Sequence, residues 1–396
     1  MYFHGGGFSA GSGSLAALSD KWAREEDIVV VGVNHRLNVF GYLYLGMLDE
    51  DYADSGNAGI YDLILSLEWI RDNITAFGGD PDNVTIMGES GGCMKVNTLM
   101  SMPEARGLFR RAICESGSMP VNENTPEMAA ECTLALLREL GLKKEEWRKL
   151  LEISPQDLTA AMQKAQLPGL GFRPVADGRA FSPSKSTSGS YALPEFAKEI
   201  PLMIGCSEDE NATMLLPEIG SLTKENMAEK ILESSTGWLT AGPVNEDNVH
   251  TLIAQTDKVK AGESLYQKLA RNVSLGGKLC RDSYREAVAK AKEGGPVYHY
   301  LVTYDSPIPW MKDVRVAYHT ADLPLQFRVV YFNECESLSK IIAHNFAAFI
   351  RTGDPSTENL TWPMFTLDGR ETMVFDKECR VESDPLREVW DILGQK

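Results

Sequence analysis

A serine framed by glycines, Gly88-Glu89-Ser90-Gly91-Gly92, follows directly on the apolar run Val84-Thr85-Ile86-Met87. No other stretch limits the fold so tightly. Glycines two residues to either side of a serine suit a sharp strand-to-helix turn. Such a turn strains the serine backbone, and bulky side chains at the flanking positions would strike neighbouring main chain. It lifts the hydroxyl clear of a sheet and aims the Gly91 N–H at the place where an oxyanion would form. The pattern arises by chance in glycine-rich proteins. Its position between a strand and the helix-spaced Val96, Leu99 and Met100 makes it specific here.

The rest of the chain alternates strand and helix. Met1–Phe3 reads as the end of a strand, and the continuous apolar run Ile28–Asn34 reads as a parallel strand buried on both faces. Leu15–Glu25 has helical composition, and Ile60–Asn73 places Leu63, Leu67 and Ile70 on one helical face. Strands are predicted at Phe109–Cys114, Pro201–Gly205 and Val297–Thr303, and a closing helix over Leu338–Thr352. This order predicts an α/β protein with a doubly wound, mostly parallel sheet. Sites in such sheets lie at the carboxyl ends of the strands, which puts His4–Gly7 and Ser90 on one rim. Helical spacing within Glu127–Gln166 and Lys224–Ala289 predicts insertions over the sheet, at about 120–195 and 215–290. Residues 1–396 are expected to form one catalytic domain.

Charge narrows the partners. With 39 basic against 56 acidic residues the net charge is −17, which disfavours nucleic acid or an anionic membrane. No apolar run approaches the roughly 18–20 residues of a membrane span. Seven scattered cysteines with no C-x-x-C pair suggest reduced thiols, hence a cytoplasmic setting, and no disulfide framework or zinc site. Sequons at Asn73, Asn83, Asn211, Asn272 and Asn359 are read as unmodified. Because the chain opens on a strand end, the lack of a leader carries little weight.

A serine hydroxyl needs an adjacent base, and the base needs orientation. Histidine suits the role, with an ordinary pKa near 6.5. Of six histidines, His4 lies in a glycine run, His35 at a strand end, His250 in an insertion, His299 in a strand and His344 in a helix. His319 lies in the loop Val316–Pro324, the kind of segment that carries catalytic groups above a rigid sheet. The orienting carboxylate is sought after the strand ending at Gly205, in Glu208-Asp209-Glu210, and spacing leaves all three open. Gly5-Gly6-Gly7 offers unobstructed N–H groups for an oxyanion. A phosphate cradle is the other reading, but no Gly-Lys-Ser/Thr follows.

Several segments together resemble the type-B carboxylesterase family, the cholinesterase-like branch of the α/β-hydrolases. They are His4-Gly5-Gly6-Gly7-Phe8, Asn34-His35-Arg36-Leu37, Gly56-Asn57-Ala58-Gly59, Phe77–Thr85, the Ser90 pentapeptide and Arg351-Thr352-Gly353-Asp354-Pro355. The resemblance implies an α/β-hydrolase fold and hydrolysis of small carboxylic esters through an acyl-enzyme, with no metal or cofactor. It puts the nucleophile on Ser90, the base on His319, the acid on Glu210, and the oxyanion donors on Gly6, Gly7 and Gly91. Phe8 either lines the substrate site or packs under the loop.

Three departures stand out. Gly91 replaces the family's commoner alanine, a change read as harmless for a backbone donor. Asn211 stands where glycine is usual, and asparagine tolerates a positive φ there. The family's N-terminal strands have no counterpart, so a sheet edge is expected to be exposed, and a fragment or misassigned start is hypothesised; a compact soluble monomer in gel filtration would count against it. The resemblance leaves two rivals: a related lipase or amidase, and a catalytically inactive binding protein. Oligomeric state stays open.

Overall fold

The computed structural model describes residues 1–117, 123–181, 194–237, 239–260 and 262–394. The chain forms two compact units. Unit 1 comprises Met1–Leu15, Val31–Arg110 and Met119–Ala197; unit 2 comprises Ala16–Val30, Arg111–Ser118 and Lys198–Lys396. The expected insertion over 120–195 falls in part on residues outside the described ones (120–122 and 182–193), as does 215–290 at 238 and 261.

In unit 1, strand β1 (Tyr2–Phe3) pairs in parallel with both β2 (Gly32–Val33) and β3 (Thr85–Glu89). Helices Ala58–Asn73 and Gly91–Met100 pack together, and the latter also packs on β1 and β3. Every residue of it is buried, the polar Lys95, Asn97 and Thr98 included. Phe3, Ile60, Leu63, Leu67, Ile86, Val96, Leu99 and Met100 are wholly enclosed. Each large side chain so buried contributes roughly 1.5–3 kcal/mol. Two further helices, Pro126–Glu139 and Pro155–Lys164, start alike: Thr125 and Ser154 accept from the N–H three residues on, and proline takes the first helical position.

The run Ile28–Asn34 departs from its prediction. Only Gly32–Val33 forms a strand, at the end of the strand order, and Val29 is 42% exposed. Edge position explains it: β2 pairs with β1 alone, so the apolar run has a partner on one side. Continuous hydrophobicity reports apolar surroundings, and it does not tell a central strand from an edge.

In unit 2, β4 (Arg111–Glu115), β5 (Leu202–Ser207), β6 (Val297–Val302) and β9 (Glu371–Phe375) run parallel in that order, and β10 (Arg380–Ser383) adds an antiparallel edge. A separate hairpin joins β7 (Ser306–Ile308) to β8 (Met311–Val316). Tyr300, Phe346, Trp362 and Phe375 form an aromatic core with centroid separations of 5.5–6.3 Å. Helix Glu336–Thr352 ends at Gly353, whose φ of 86° needs glycine. The Arg111 guanidinium donates to the Ile350 and Arg351 carbonyls at 3.0 Å each, placing a cation on the helix C-terminus.

Candidate active site

Ser90 follows β3 and precedes helix Gly91–Met100, with φ 55° and ψ −118°. That is the strained turn the glycine pattern predicts. A Cβ on Gly88 would lie 2.4 Å from the Gly92 carbonyl carbon, and one on Gly92 would lie 2.0 Å from Phe3 O. Both glycines are therefore steric necessities. A Cβ on Gly91 would come within 2.2 Å of Gly7 N. The replacement read as harmless is thus structural in this chain, because the glycine loop occupies the space an alanine methyl would need.

That loop is built for bare backbone. Gly6 and Gly7 have φ of 84° and 63°, and Gly6 O accepts from the Ser9 and Ala10 N–H groups. Beneath it His4 stacks on His35 at 5.2 Å, and burial lowers the pKa of both. Phe8 is 1% exposed, edge-on to Tyr42 at 5.3 Å, with the Lys95 ammonium 5.5 Å from its ring. Its ring is enclosed by protein. Other shared motifs serve as scaffold. Arg36 pairs with Asp62, and Asn57 exchanges two 2.8 Å hydrogen bonds with the Val175 backbone.

In unit 2 the three carboxylates have different partners. Glu210 is buried, accepts from Ser207 N at 2.7 Å, and lies 2.5 Å from His319 Nδ1. Its neighbours are committed elsewhere. Asp209 accepts from Ala317 N at 3.1 Å, while Arg271 reaches Glu208 at 3.2 Å, Asp209 at 3.8 Å and Glu263 at 2.5 Å. Those carboxylates hold Arg271 charged, while burial pushes Asp209 above the ordinary carboxylate range. Asp209 N also donates to Ala317 O at 3.0 Å, which ties the acid loop to the histidine loop two residues before His319. Thr320, directly after His319, has φ 73°.

A model of the carboxylesterase family matches residues 1–390. The chain belongs to the carboxylesterase family. It is 32% identical over 407 residues to a para-nitrobenzyl esterase of Bacillus subtilis, covering 97% of this chain and 77% of that one. It is 29% identical over 402 residues to a phenmedipham hydrolase of Pseudarthrobacter oxydans, covering 96% and 75%. Among solved structures, the Geobacillus stearothermophilus carboxylesterase EST55 superposes with a TM-score of 0.78 at 32% identity, over 98% of this chain and 81% of that one. The fold is that of the α/β-hydrolases, and the chain is a carboxylic ester hydrolase.

Within this carboxylesterase, three features escaped the sequence. Asn211 has φ −92°, so the tolerance of asparagine for a positive φ is not used; its N–H donates to Ser274 Oγ at 2.9 Å instead. Asp322, three residues past His319, is buried and accepts from the Tyr300 hydroxyl at 3.1 Å. Burial, then the charge of Glu210, pushes it up to about 6. Lys95 is the third, a fully buried cation in the serine helix. Its place as the one charge in the helix after the serine was the available signal. All seven cysteines are free thiols. Among the described residues, no helix is long and apolar enough to cross a membrane.

Proposed function

We propose that Ser90, His319 and Glu210 act as a catalytic triad that hydrolyses small carboxylic esters through an acyl-enzyme. The 2.5 Å bond between Glu210 and His319 Nδ1 carries the reading. With Nδ1 donating to a buried carboxylate, the basic lone pair falls on Nε2, the tautomer a general base requires. His319 Nε2 takes the Ser90 proton as the oxygen attacks the ester carbonyl. Glu210 keeps the imidazole oriented and stabilises the imidazolium. The N–H groups of Gly6, Gly7 and Gly91 bind the oxyanion, each worth roughly 3–4 kcal/mol in comparable sites. The tetrahedral intermediate collapses, and the alcohol leaves with the proton from His319. Water then attacks the acyl-enzyme by the same route and releases the acid. The strained Ser90 backbone supports the nucleophile's role, since such strain persists where the surroundings fix one conformation.

A fluorophosphonate probe tests the reading directly. The wild type is expected to label once per chain and to turn over p-nitrophenyl acetate, and Ser90→Ala to do neither. Labelling that survives in Ser90→Ala would rule the nucleophile out.

A further inference from the structure

The serine helix carries a single charged side chain, Lys95, and nothing of it reaches solvent. Its Nζ donates to the carbonyl oxygens of Gly7 at 2.7 Å, His4 at 2.9 Å and Gly91 at 3.3 Å. An ammonium has three N–H donors and no acceptor, so each donor meets one carbonyl. Gly7 and Gly91 thus each present a proposed oxyanion amide and a carbonyl held by the same cation. Gly6 and Gly7 have no side chains to anchor them, and a Cβ on Gly7 would have no neighbour within 4 Å.

We propose that Lys95 is a positioning residue: it fastens the glycine loop to the first turn of the serine helix and thereby aims the Gly7 and Gly91 amides at the oxyanion. This rests on the triad and oxyanion reading given above.

Burial lowers Lys95 to about 7, against the opposing charge of Glu89. The other titratable groups around it are His4 and His35, both favoured neutral, and the Arg173 guanidinium lies across Phe8, 6.0 Å from that ring. A neutral amine keeps two N–H donors and turns a lone pair toward the third carbonyl. The tether therefore slackens as pH rises through about 7.

Lys95→Met keeps the stem and removes the donors. Relative to wild type, kcat for p-nitrophenyl acetate is expected to fall roughly 10- to 100-fold, part of the value of misaimed oxyanion donors. KM should stay within about threefold, and affinity for a trifluoromethyl ketone, which forms an oxyanion adduct, should fall in step with kcat. The wild-type to Lys95→Met ratio of kcat should shrink as pH rises through about 7. A Lys95→Met enzyme with wild-type kcat, or one whose loss lies in KM, overturns the proposal.

Should Lys95→Met fail to fold, the wild type decides. In lysine-labelled protein followed by nitrogen NMR, the midpoint of the Lys95 Nζ resonance should lie at higher pH in the ketone adduct than in the free enzyme, because coupling is reciprocal. An unmoved midpoint overturns it equally. A wild type that neither labels with fluorophosphonate nor turns over ester ends the triad reading; an active wild type with an indifferent Lys95→Met ends this proposal alone.

Discussion

Ser90 is held by main chain packed where side chains are missing, whereas Glu210 and His319 are held by buried side chains bonded to one another and to main chain. Around Ser90, glycines at 88, 91 and 92 let backbone approach to distances a single methyl would forbid. Around Glu210, the work falls to charge and hydrogen bonding: Ser207 N, His319, and an Arg271 cluster that occupies the two rival carboxylates. The two regions should therefore fail differently. Adding an atom harms the first, and removing one harms the second.

The comparison breaks most visibly at the imidazole. On the proposed role of His319, His319→Ala is expected to lower kcat by roughly 10⁴-fold with little change in melting temperature. An active His319→Ala would mean the Glu210 pair is only structural. Next comes Arg271→Met, which leaves Glu208, Asp209 and Glu263 buried around a lost cation. Urea unfolding should show a loss of about 3–5 kcal/mol. A smaller loss would mean that the carboxyls are mostly protonated. Gly91→Ala sharpens the other side: its methyl must displace Gly7, so kcat should drop on the order of 10²-fold. The accompanying stability loss should be about 1–3 kcal/mol by thermal melt. If Gly91→Ala is silent, the loop moves freely and steric absence is not what holds it.

The smallest effect concerns Asp322. Its pKa is raised from an ordinary 3.8 to about 6, so the folded state binds more protons than the unfolded chain in that interval. Stability from this group is therefore full below the lower value and lost as pH rises through the upper one. Asp322→Asn keeps an acceptor for Tyr300 and escapes that loss. Above pH 6 it should exceed wild type by about 1–3 kcal/mol in denaturant unfolding, and match it near pH 4. Equal curves at both pH values would mean that Asp322 is not strained by burial.

Much of this protein was legible locally. The turn at Ser90 and helices such as Ala58–Asn73 and Glu336–Thr352 follow from a few consecutive residues. Periodicity and glycine placement act over one or two turns of chain, so sequence alone fixes them. The hairpin β7–β8 and the strands β9 and β10 passed unread, because their short or polar runs acquire meaning only beside a neighbour.

What tertiary structure alone decided has one physical character: it depends on residues far apart in the chain meeting at atomic distance. Which carboxylate of Glu208-Asp209-Glu210 reaches an imidazole 109 residues away is set by where Arg271 and Ala317 draw the other two. Whether an apolar run is central or at an edge depends on which strands come to lie beside it. The need for glycine at 91 exists only because Gly7 arrives there, and the lysine in the same helix is buried only because that loop closes over it. Residue types and spacing supplied the chemical groups; packing between distant segments chose among them.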